Sequence, residues 1–210
     1  MLRVLIVFLS SLLLAGCSVF GIRSSYEQPE YRVVSELSSA AEIREYEPRL
    51  AAQATVEAEN PEAGRSAAFR LLFDYISGEN RPAAEIAMTT PVATEGSEES
   101  VAMTVPVESA AERGKIRMRF FLPEKFTKET APAPVNSQVE VVALPAKTLA
   151  VLRFSGSTDQ RRLEARVKEL RRLIEESEWR ADGPPRTMFY DPPWTIPFLR
   201  RNEVAIPVSR

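Results

Sequence analysis

Ile86-Ala87-Met88-Thr89-Thr90-Pro91-Val92 is followed, fifteen residues on, by Val101-Ala102-Met103-Thr104-Val105-Pro106-Val107. Six of the seven paired positions match in kind, and Thr90/Val105 is the exception. Between the copies, Ala93 to Ser100 is polar and acidic and contains Gly96. Two near-copies of a β-prone segment around such a turn read as a hairpin. With Thr89 opposite Thr104, the residues Ile86, Met88, Thr90, Met103, Val105 and Val107 share one side of the sheet. Pro91 and Pro106 have no amide to donate, so the ladder must be irregular or at an edge there.

Outward from the hairpin, the pattern predicts more strands. Tyr31 to Ser35 is short and β-prone, and Glu42 to Glu57 reads as two extended segments around Pro48. Lys115 to Leu122 alternates Ile116, Met118 and Phe120 against Lys115, Arg117 and Arg119, the period of a half-buried strand. Val139 to Leu144, Thr148 to Phe154, Thr187 to Tyr190 and Glu203 to Val208 complete the set. Two helices are predicted. In Arg65 to Ser77, Phe69, Leu72, Phe73 and Ile76 form one apolar stripe, with Gly78 as the stop. In Thr158 to Glu178, Leu163, Val167, Leu170 and Ile174 do the same, with Thr158 or Asp159 as N-cap. A faint repeat runs through both halves. Tyr46 to Ala51 before the first helix and Ala143 to Ala150 before the second each read strand, proline turn, strand. Two such halves can curl into a sheet without exposed edges.

The amino terminus reads differently. Arg3 is followed by a run from Val4 to Leu14 that is apolar apart from two serines. A charged start, an apolar middle and small residues form a secretory signal. The run is too short for a spanning helix, which needs about 20 residues. Leu14-Ala15-Gly16-Cys17 resembles the lipobox of bacterial lipoproteins. That resemblance implies removal of residues 1–16, a diacylglyceryl group on Cys17, and a tether over residues 17–28. One globular domain over 29–210 is the expectation. Ser18, not aspartate, follows the cysteine. In Gram-negative lipoproteins this resembles sorting to the outer membrane, facing the periplasm.

Composition excludes several chemistries. The chain has 210 residues, 27 Lys and Arg, 29 Asp and Glu, one cysteine and no histidine. Without histidine there is no imidazole base, no histidine-ligated zinc and no serine–histidine or cysteine–histidine triad. With Cys17 as the lipid site, no thiol is left for a disulfide or a nucleophile. The charge balance offers no basic stripe for nucleic acid.

The doubled Met-Thr-x-Pro-Val hairpin resembles the SOUL family of haem-binding proteins. The carboxy-terminal stretch Phe189-Tyr190-Asp191-Pro192-Pro193-Trp194-Thr195, then Arg200-Arg201-Asn202-Glu203-Val204, agrees. So does Glu45-Tyr46 ahead of a helix containing Phe69, Leu72 and Tyr75. The resemblance spans about Tyr31 to Val208. It implies an α+β fold: a distorted antiparallel or mixed β-barrel with two helices, built from duplicated βαβ-type halves. A similar duplicated architecture is known in effector-binding domains of bacterial multidrug-responsive regulators. It also implies binding of haem or a related tetrapyrrole. This chain cannot supply the histidine ligand proposed in some members.

A tetrapyrrole site needs apolar and aromatic walls, a cation for the propionates and optionally an axial donor. Candidate walls are Phe69, Leu72, Phe73, Met88, Met103, Tyr190, Trp194 and Phe198. Candidate cations are Arg200 and Arg201, or Arg70. Candidate iron ligands are Met88, Met103 and Tyr190, with Met118 and Met188 behind them. Each has an ordinary alternative. Methionine on an apolar strand face fills core. Phe69, Leu72 and Phe73 can pack a helix on a sheet, Tyr190 and Trp194 can brace a proline-rich loop, and the arginines can pair with Glu203. Three functions are therefore expected in order: a membrane-tethered tetrapyrrole binder, a module for another small apolar ligand, and an enzyme that no residue constellation supports.

Overall fold

The computed structural model describes residues 26–96, 114–192 and 194–210. Cys17, the lipobox and the second hairpin copy with Met103 lie outside these residues. In chain order the strands of the first part are β1 (Tyr31–Ser38), β2 (Ala41–Tyr46), β3 (Arg49–Glu57), β4 (Asn80–Arg81), β5 (Val92–Gly96) and β6 (Lys115–Phe121). Those of the second are β7 (Ala133–Pro134), β8 (Val139–Leu144), β9 (Lys147–Phe154), β10 (Arg180–Ala181), β11 (Arg186–Phe189) and β12 (Asn202–Ser209). The helices are α1 (Pro61–Ile76) and α2 (Gln160–Glu175), and a short 3₁₀ turn covers Pro197–Leu199. The α+β class stands, and every pairing given below is antiparallel.

The chain forms two compact units. One is Pro48–Pro145, and the other joins the chain up to Glu47 with Ala146–Arg210. In the Pro48–Pro145 unit, β3 lies between β8 and β6, and β5 pairs with β6. In the other, β9 lies between β2 and β12, β1 adds to β2, and β11 and β10 pair with β12.

The sequence repeat and the compact units do not coincide. The repeat is β2–proline–β3–α1–β5–β6, then β8–proline–β9–α2–β11–β12. Yet β2 pairs with β9, and β8 pairs with β3. Each unit thus takes an outer strand from the other repeat. The unit boundaries fall at Pro48 and Pro145, the prolines of the two turns. A proline within the two-residue connection cannot donate to a ladder, and neither strand–proline–strand segment closes as a hairpin on itself.

Local chemistry sets the helix ends. The Asn60 side chain accepts from the Glu62 and Ala63 amides at 2.8 and 3.2 Å, and Pro61 takes the first turn. The helix therefore starts four residues earlier than the apolar stripe suggested. It ends at Ser77, and Gly78 follows at φ 119°. Asp159 caps α2 as expected, accepting from the Arg162 amide at 3.0 Å.

The stripe that α1 buries is Gly64, Ala68, Leu72, Tyr75 and Ile76. Phe69 and Phe73 are not in it. They sit at the edge of the contact, 38% and 47% exposed. Ala52, Ala54, Val56, Ile116, Met118 and Phe120 complete this core. Gly64 permits the close approach: a Cβ there would lie 2.7 Å from Ile116 Cγ1 and 2.9 Å from Ala58 Cβ. Gly64→Val is expected to lower stability by about 1–3 kcal/mol through overpacking. The urea midpoint reads it, and an unchanged midpoint would mean α1 can lift off the sheet freely.

In the second unit α2 buries Leu163, Leu170 and Ile174 against Ala41, Ile43, Ala150, Leu152, Val204 and Ile206. The alternate residues Leu149, Val151 and Ala205 are also buried. This sheet is dry on both faces, which explains its near-continuous apolar runs.

Candidate functional site

The first expected strand of the doubled hairpin is only partly a strand. Residues up to Pro91 are irregular, and the ladder begins at Val92, paired with Phe120 of β6. This is the interruption that a proline without an N–H demands. Thr89 is buried and its hydroxyl donates to the Phe121 carbonyl at 2.5 Å. Met88 is half-buried and packs against the α1 core.

Of the expected α1 wall, Leu72 is fully buried and belongs to the core, so it is unavailable to a ligand. Phe69 and Phe73 are one turn apart and stack at 6.0 Å between centroids, 15° between planes. Phe69 also meets Phe120 edge-on at 5.4 Å and 65°. Buried Phe120 thus braces a pair of rings that face water. At 100° per residue, Arg70, Leu71 and Asp74 fall on the opposite flank of α1. There, with Ala67, Thr55, Val56, Glu57 and Gln138, they line an open groove of about 670 Å³.

Tyr190, Trp194, Phe198, Arg200 and Arg201 lie in the other unit and have unlike environments. Tyr190 is buried, whereas Trp194 and Phe198 are 66% and 72% exposed. The Arg200 Nε donates to the Thr195 carbonyl at 2.7 Å. Arg201 reaches Glu203, with Nε and Nη2 at 2.9 and 2.7 Å from Oε1.

Glu203 is the centre of a buried polar network that the sequence reading did not assemble. It is fully buried. Arg44 binds it through both ends of its fork, at 2.9 Å and 3.2 Å. The Tyr190 hydroxyl donates to Oε2 at 2.7 Å. Arg44 also donates to Glu42 and to the Tyr46 hydroxyl, at 2.6 and 3.2 Å, and lies 4.3 Å over the Tyr31 ring. Burial alone would raise the Glu203 pKa, but Arg44, Arg201 and the Tyr190 hydroxyl outweigh it and hold the carboxyl below its ordinary range. Burial, then the charge of Glu203, push the Tyr190 phenol well up, so it stays a neutral donor. Tyr190 is therefore committed to a carboxylate and is not placed as an iron ligand.

The register shows what the network does. Arg44 is in line with Leu149 and Pro207, four positions along β12 from Glu203. In a flat sheet that offset is about 13 Å along the strand. The two side chains meet only because the sheet coils, bringing diagonal corners together.

A family model described as SOUL heme-binding protein matches residues 26–207. The chain belongs to the SOUL family. The match takes in both units, from ahead of β1 to Pro207 within β12. No curated protein matches this SOUL chain in sequence. Among solved structures, the EcmrR C-terminal domain is similar, with TM-score 0.59 and 12% identity over 86% of this chain and 98% of that one. A hydrolase from Listeria innocua has TM-score 0.54 and 10% identity over 81% and 92%. An uncharacterized conserved protein from Listeria innocua has TM-score 0.52 and 13% identity over 89% and 94%. At such identities these likenesses bear on the fold alone. As a SOUL member the chain is classed with haem-binding proteins. Among the described residues no cluster of three Cys, Asp or Glu side chains is placed to hold a metal ion.

Proposed function

We propose that this chain binds haem or a related tetrapyrrole at the Phe69–Phe73 face of α1, while tethered to a membrane through Cys17. The observation that carries the reading is the stacked, half-exposed ring pair backed by buried Phe120. Aromatic rings held in water at fixed orientation suit a flat apolar plate, which stacks on them and removes both surfaces from solvent. A bound tetrapyrrole would supply its macrocycle and any iron within it. The chain's contribution is apolar surface and the thioether of half-buried Met88; imidazole is absent from the chain. Storage, transport or buffering at the envelope are the roles such a surface can serve. In a Gram-negative cell the pattern at Cys17–Ser18 favours the outer membrane, facing the periplasm.

Haemin titration followed at the Soret band tests the reading. Phe69→Ala with Phe73→Ala is expected to weaken binding at least tenfold while the fold survives, because neither ring belongs to the buried stripe. Unchanged affinity in the folded double variant would place the ligand elsewhere. The groove on the other flank of α1 supports a second reading, a small amphipathic ligand held near Arg70 and Asp74. A ligand-induced thermal shift without any Soret change would favour it.

A further inference from the structure

The loop between β11 and β12 combines a pinned backbone with exposed aromatic side chains. Its base is closed by the Tyr190 amide bonding to the Arg201 carbonyl at 3.3 Å, and by the Arg201 amide bonding to the Asp191 carboxylate at 2.7 Å. Thr195 is fully buried, and the Gly156 amide donates to the Pro197 carbonyl at 2.9 Å. A loop anchored this firmly does not need to leave Trp194 and Phe198 in water, yet both are more than half exposed. Such exposure marks a surface built to be covered.

Two observations say by what. Arg162 extends along Gly156, and its Nη2 donates to the Ser155 carbonyl at 3.3 Å, beside the loop. Exposed Arg161 adjoins it, and Arg200 ends the 3₁₀ turn. Aromatics flanked by arginines match the headgroup region of an anionic bilayer, where indole rings settle at the interface and cations meet phosphate. The tether also arrives here. Gln28 accepts from Arg201 Nη1 at 3.4 Å, one residue beyond Arg200. From Cys17 to Tyr26 there are nine residue steps, which span at most about 30 Å.

We propose that Trp194 and Phe198 insert into the lipid interface and dock this unit on the membrane that anchors it. The proposal rests on the lipid-anchor reading of Cys17, and two separate measurements keep the pair distinguishable. For docking, the chain from Cys17 onward, which retains every element described, is coupled through its one cysteine to a maleimide phospholipid. The vesicles contain phosphatidylethanolamine and phosphatidylglycerol. This holds the chain at the bilayer whether or not a cell acylates it. Trp179→Phe leaves Trp194 as the one fluorophore of its kind and removes an indole whose N–H has no partner among the described residues. On vesicles, Trp194 emission is expected to shift to the blue, to be quenched by brominated lipid, and to lose most of its quenching by iodide. Iodide quenching equal to that in solution, without quenching by brominated lipid, would overturn the docking face. If Trp179→Phe does not fold, the difference between the parent chain and Trp194→Phe carries the same signal. For the anchor, an acyl mass on the amino-terminal peptide of the cellular protein is expected. Its absence would overturn the anchor and leave the docking result standing.

Discussion

Glu203→Ala is expected to lower the unfolding free energy by about 3–5 kcal/mol, the effect of stranding a buried partner charge. Arg44 is 3% exposed and donates to both carboxylate oxygens. Without Glu203 its guanidinium keeps Glu42, the Tyr46 hydroxyl and the face of the Tyr31 ring, and the phenol of Tyr190 loses its acceptor. Replacing Arg44 and Glu203 together by apolar residues is expected to recover part of the loss, since a paired deletion leaves no charge behind. Urea unfolding of the single and double variants reads this; a single variant as stable as the parent would show that the network does not hold the coil closed.

The sign with pH follows from the same geometry. The folded Glu203 carboxyl titrates below its unfolded value, about 4.3 for a glutamate. Its contribution is therefore complete above that value and lost as pH falls through the lower folded one. Glu203→Gln is expected to flatten the acid side of the stability profile. An acid limb as steep as that of the parent would assign the loss to other carboxylates.

Leu72→Ala is expected to cost about 2–5 kcal/mol, the range for a cavity left by a fully buried leucine. Its neighbour Phe73 is half exposed, and Phe73→Ala is expected to change stability far less while weakening haemin binding. The pair separates core from site on adjacent residues of one helix. A Leu72→Ala variant that keeps its thermal midpoint but loses haemin would restore Leu72 as a ligand contact.

The two helices, the other strands and the proline-marked repeat were legible, because each is a local matter of period, turn chemistry and capping, whereas the first hairpin copy is irregular up to Pro91 and the second lies outside the described residues. The start of α1 is written in Asn60-Pro61, four residues ahead of the start that the apolar stripe predicts. The stripe misled in a second way. Residues at i, i+3, i+4 and i+7 share a broad face, and which part of it is covered depends on the sheet beneath. Thus Phe69 and Phe73 fell outside the stripe that holds Leu72. Arg201 paired with Glu203 was among the expected alternatives. Arg44 was not, although Arg44 and Tyr46 alternate with Ile43 on β2, which placed an arginine opposite a helix-packed face.

By itself the sequence determined the family, the strand and helix content, the absence of imidazole chemistry and the single thiol, since these depend on residue identity and near neighbours. Tertiary structure alone decided that β2 pairs with β9 and β8 with β3, that Arg44 meets a glutamate 159 residues away, and which aromatics stay in water. Those are outcomes of pairing and coiling between distant segments, where the free energy depends on surfaces that no local window contains.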